Sequence, residues 1–141
     1  MGKFKELDMG YRSEVGYVIA FTEKEVYNQF KVQYKLDPAY EECREDESGT
    51  DYGDVQLKFM DDHLVVKFRA SDVKWYDHYS DVKCHRALLD LADEYAEKYK
   101  CVSWCFVRIG EETGDIDTEY GGDGDATSMI YPVSSICFDG V

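Results

Sequence analysis

Residues 101–109, Cys-Val-Ser-Trp-Cys-Phe-Val-Arg-Ile, are apolar at nearly every position. Successive side chains of a strand point to opposite faces. Val102, Trp104 and Phe106 therefore share one face, and Cys105, Val107 and Ile109 share the other. A strand that is apolar on both faces has to be covered on both. This segment thus sits inside a sheet, with other parts of the chain packed against each side.

The other periodicities supply the partners. Gly16–Phe21 is a short apolar run of β character. Thr22 with Glu25 three residues later reads as a capping box. Val26, Phe30 and Tyr34 then recur every fourth residue, the stripe of a helix that Asp37-Pro38 ends. A short turn over Ala39–Cys43 follows. Val55, Leu57 and Phe59 alternate with Gln56, Lys58 and Met60, Asp61-Asp62 turns the chain, and Leu64, Val66 and Phe68 alternate on the return. That pattern predicts a hairpin. Residues 70–79 form a polar-aromatic connection.

Ser80 is placed to cap a second helix, with Asp81 against the positive end of its dipole. Cys84, Leu88, Leu91 and Tyr95 form its buried stripe. Met129–Phe138 reads as a last strand, at an edge or bulge because Pro132 lacks an amide donor. The order is βαββαβ with an extra C-terminal strand. This predicts one α+β domain over residues 1–141, with ferredoxin-like (split βαβ) order and helices packed on a mostly antiparallel sheet.

Charge separates the chain into zones. The 16 basic and 30 acidic residues leave a net charge of -14. Residues 1–40 and 55–110 are each neutral. The surplus lies in 41–54, with seven acids against Arg44, and in 111–125, with seven acids and no base, and Asp139 supplies the last unit. Both stretches read as acidic loops. In the expected topology they meet at one end of the sheet, beside Trp75, Tyr76, His78 and Tyr79.

That convergence predicts a negatively charged contact surface. Glu41, Glu42, Glu45, Asp46, Glu47, Asp51, Asp54, Glu111, Glu112, Asp115, Asp117 and Glu119 supply its field, and Trp75, Tyr76 and Tyr79 its anchors. The matching partner is a basic protein, with a nucleic-acid-binding groove the natural target because carboxylates can stand in for phosphates. Direct nucleic-acid binding is disfavoured, since no basic face is evident. In size and charge alone the chain resembles phage-encoded inhibitors of host defence nucleases, including anti-CRISPR proteins, and toxin-neutralising immunity proteins. The resemblance implies an inhibitor and assigns no residue roles.

The alternative is a small enzyme with a loop-borne carboxylate site for a divalent cation on 111–125. An EF-hand fails there, because the sixth position from Asp115 is Tyr120 and the twelfth is Ala126. His63, His78 and His85 show no zinc-ligand spacing and are expected at the surface or its boundary. Cys84 next to His85 reads as core, because helix neighbours do not face each other. No nucleophile elbow or phosphate-binding glycine pattern occurs. No cofactor, metal site or catalytic residue is expected. No run is long and apolar enough to span a membrane, and residues 1–10 have no apolar signal core. Five cysteines without CxxC spacing read as free thiols, mostly buried, of a cytoplasmic protein.

Overall fold

The computed structural model describes residues 10–49, 55–133 and 135–141. The first four strands are β1 (Ser13–Phe21), β2 (Val55–Met60), β3 (Val65–Val73) and β4 (Val102–Gly110). With β5 (Ile116–Gly122) they build one five-stranded sheet in the order β2-β3-β1-β4-β5. Every neighbouring pair is antiparallel. Four α-helices occur among the described residues: α1 (Lys24–Leu36), α2 (Glu41–Glu45), α3 (Ser80–Lys98) and α4 (Ala126–Met129). The fold is therefore α+β. Its fifth sheet strand departs from a simple four-stranded ferredoxin-like layout.

The apolar faces of β4 are both covered. Val102, Trp104 and Phe106 join Tyr17, Ile19, Phe30, Leu57, Phe68 and Leu88 in a core beneath α1 and α3. Cys105 and Val107 join Val18, Ala20, Val65, Ala126 and Ile130 in a smaller core on the opposite face. The cover on that second face is α4 with a two-stranded hairpin, β6 (Ile130–Pro132) and β7 (Ile136–Phe138). The single strand expected over 129–138 is thus this hairpin. Pro132 ends β6, in a sheet where every strand is an edge.

The predicted hairpin pairs Leu57 with Phe68 and Phe59 with Val66. Its turn spans Asp61–Leu64 rather than two residues, and Leu64 takes a φ of 55°. Neither predicted cap forms. α1 begins at Lys24 with Glu23 in the cap position and no side-chain bond there. The Thr22 amide instead donates to the Cys101 carbonyl at 3.0 Å, which ties the end of β1 to the approach to β4. Ser80 is the first residue of α3, behind Tyr79.

Neither acidic stretch is simply a loop. Residues 41–48 form α2 and a short 3₁₀ turn, Asp46–Ser48. Residues 111–115 form a turn that leads into β5. Without β5, the outer edge of β4 would carry unpaired amides and carbonyls beside a buried core, so edge pairing outweighs the poor strand propensity of an acidic segment. No helix among the described residues is long and apolar enough to cross a membrane.

Candidate functional site

The strand registers define which segments share an end of the sheet. Ser13, at the start of β1, pairs with Val73 at the end of β3 and with Gly110 at the end of β4. The entry to β2, the connection after β3 and the β4–β5 turn therefore lie at that same end. Tyr11 fastens two of them together. Its amide donates to Tyr76 Oη at 2.6 Å and its hydroxyl donates to Asp115 Oδ2. The Glu112 amide donates back to the Tyr11 oxygen at 3.0 Å, and the Arg12 amide donates to Glu111 Oε2 at 2.9 Å.

Three clefts open beside this end among the described residues, one of about 410 Å³ lined by Arg12, Ser13, Asp72, Gly110 and Glu111, and two that hold the aromatic residues. The larger, about 810 Å³, runs between α3 and the helix-side face of β4–β5, with Trp75, Tyr76, Arg86, Arg108, Asp117 and Glu119 in its wall. Arg86 grips Glu119 with two bonds, at 2.9 and 3.2 Å, and lies over the Phe106 ring. Arg108 Nη2 reaches Asp115 at 2.6 Å and Asp117 at 2.7 Å. Bonds from Arg108 and from the Tyr11 hydroxyl hold the Asp115 carboxyl below the usual carboxylate range. The smaller cleft, about 280 Å³, brings Asp46, Trp75, Tyr79 and His85 together with Arg12 and Lys74.

The acids named from sequence fall into distinct groups. Asp46, Glu47, Asp115, Asp117 and Glu119 are bonded to other side chains of the fold. Glu41, Glu42, Glu45 and Glu112 are exposed, as is Glu111 despite its bond to the Arg12 amide. Asp51 and Asp54 lie outside the described residues. Trp75 is half-buried, packed against Phe68, His85 and Phe106, while Tyr76 and Tyr79 meet edge to face at 5.1 Å. A cation on 111–125 would compete with Arg108 and Arg86 for the carboxylates of Asp115, Asp117 and Glu119.

One constellation escaped the sequence reading. His85, expected at the surface or its boundary, is 1% exposed. Its Nδ1 lies 2.7 Å from Tyr17 Oη, and its Nε2 lies 2.7 Å from Asp46 Oδ2. Cys43 of α2 and Cys84 of α3 are buried beside it, and ligand atoms of the three residues lie within 4.8 Å of one another. A hydrogen bond with Cys84 and burial push the Cys43 thiol well above its ordinary range, and burial does the same to the Tyr17 hydroxyl. The available signal was helical. His85, Leu88, Leu89 and Ala92 recur at i, i+3, i+4 and i+7, and all four are buried.

No family model, curated protein or solved structure matches this chain.

Proposed function

We propose that this protein acts by binding: its acidic end occupies a basic, nucleic-acid-binding surface of a partner protein and blocks it. The role is that of a cytoplasmic inhibitor of the phage anti-defence or toxin-immunity type. The observation that carries the reading is two groups of exposed acids, one on α2 and one at the β4–β5 turn. Glu41, Glu42 and Glu45 line the outside of α2, and Glu111 and Glu112 cap the β4–β5 turn. Tyr11 and Arg108 brace that turn from within, so its charges are presented in a preset geometry. Clustered like charge steers a basic partner, while Tyr76 and Tyr79 supply contact area with little rotamer freedom to lose. On the fold itself, the sheet order β2-β3-β1-β4 supports reading β1 to β4 as a ferredoxin-like unit to which β5 is added at an edge.

The test neutralises acids whose side chains bond to no other side chain among the described residues, plus Glu111, whose glutamine replacement keeps an acceptor for the Arg12 amide. A variant carrying Glu41→Gln, Glu42→Gln, Glu45→Gln, Glu111→Gln and Glu112→Gln keeps its thermal midpoint. It loses capture of the partner that the immobilised wild-type protein retains from source-cell lysate. That partner elutes from the wild type with salt and with excess polynucleotide. Capture by the variant with unchanged salt dependence overturns the reading.

A further inference from the structure

We propose that Cys43, Cys84 and His85 form a zinc site in the seam between α2 and α3. α2 turns Cys43 fully inward while its glutamates face solvent, and α3 contributes Cys84 and His85, 6% and 1% exposed. The two sulfurs and an imidazole nitrogen already lie within 4.8 Å of one another. Tetrahedral zinc, with bonds of roughly 2.3 Å to sulfur and 2.0 Å to nitrogen, spaces its ligands about 3.5–3.8 Å apart. Closing the cluster on an ion therefore takes side-chain shifts of about 1 Å at most.

The surroundings of the imidazole fit the same role. A carboxylate only accepts, so the Asp46 contact at 2.7 Å puts the ring proton on Nε2. Nδ1 then accepts from the Tyr17 hydroxyl, and a metal ion takes its lone pair in place of that bond. A carboxylate behind the far nitrogen is the arrangement that orients metal-binding histidines. Tyr17 Oη, 2.7 Å from Nδ1 and released from that bond by the ion, supplies an oxygen for the fourth position. Two sulfurs with one imidazole select zinc over harder cations. Binding converts both thiols to thiolates and releases their two protons to solvent. The consequence is mechanical. α2 has five residues, too few to hold a helix alone, and a shared ion pins it to α3.

The full chain, reduced and freed of metal, is titrated with cobalt(II) under anaerobic conditions, and zinc is then added. One ion per chain is expected, with the thiolate-to-cobalt charge-transfer band and tetrahedral ligand-field spectrum, both erased by zinc. Cys43→Ser and Cys84→Ser lose the charge-transfer intensity in proportion, while Cys101→Ser and Cys137→Ser keep it. Asp46→Asn weakens binding on the order of 10- to 100-fold. Zinc raises the thermal midpoint of the wild type, a readout that needs no variant to fold. The proposal is overturned if the folded, reduced wild type gives no tetrahedral cobalt spectrum, or if Cys43→Ser binds as the wild type does.

Discussion

Tyr17→Phe isolates the hydrogen bonding of the buried histidine, because it removes one oxygen and leaves the ring. The ring keeps its stacking on Phe68, at a centroid distance of 4.9 Å, so almost no cavity opens. His85 Nδ1 loses its partner at 2.7 Å in a residue that is 1% exposed. An acceptor stranded in this way costs about 1–3 kcal/mol. At about 2.1 cal/mol/K per residue, 141 residues unfold with an entropy near 0.3 kcal/mol/K. The midpoint should therefore fall by about 3–10 °C. The assay is calorimetry and urea unfolding at neutral pH with chelator and reductant, so that bound metal contributes nothing. A double-mutant cycle with Asp46→Asn should give a coupling of about 0.5–3 kcal/mol, because both substitutions act on one ring. A midpoint within about 1 °C of the wild type, or additivity within about 0.3 kcal/mol, refutes the reasoning. The ring would then be held by packing alone, through Phe68 at 4.0 Å and Trp75 at 6.1 Å.

Two further predictions bear on the scaffold around the site. A Cβ at Gly121 would lie 2.5 Å from Trp104 Nε1 and 2.7 Å from Asp93 Oδ1, which are hydrogen-bonded to each other at 3.0 Å. Gly121→Ala should cost about 1–3 kcal/mol and red-shift tryptophan fluorescence, and an unchanged melt with unchanged emission would show that β5 yields freely. Lys31 and Tyr27 lower the Asp61 carboxyl, and Arg108 and Tyr11 lower that of Asp115. A depressed folded pKa contributes stability that is complete above the unfolded value of about 3.9 and is lost as pH falls through the folded value. Stability should therefore drop on acidification below about pH 4, less steeply in Asp61→Asn and Asp115→Asn; unfolding curves parallel to wild type from pH 5 to 2 would sink this.

Much of the scaffold was legible because consecutive residues carry it. The double-faced pattern of 101–109, the Val55–Phe68 alternation and the Cys84–Tyr95 stripe each became the expected element. β5 was missed although Ile116, Thr118 and Tyr120 alternate with Asp117 and Glu119. The strand buries neither face, with Ile116 44% and Tyr120 69% exposed, so the usual contrast between apolar and polar positions is absent. The helix caps went wrong for a related reason. Thr22 and Ser80 are plausible caps locally, but the pairing of the Thr22 amide with Cys101 decides where α1 can begin.

By itself, then, the sequence determined the sheet's central strands, the two main helices and the concentration of acid in two stretches. Those properties belong to neighbouring residues and to composition. Only the tertiary structure decided which acids stay free. Arg108 and Arg86 claim Asp115, Asp117 and Glu119 through the β4–β5 register and the approach of α3, neither of which is written in local spacing. It also brought Cys43 to Cys84 and His85, because a ligand set drawn from two helices exists only once those helices pack.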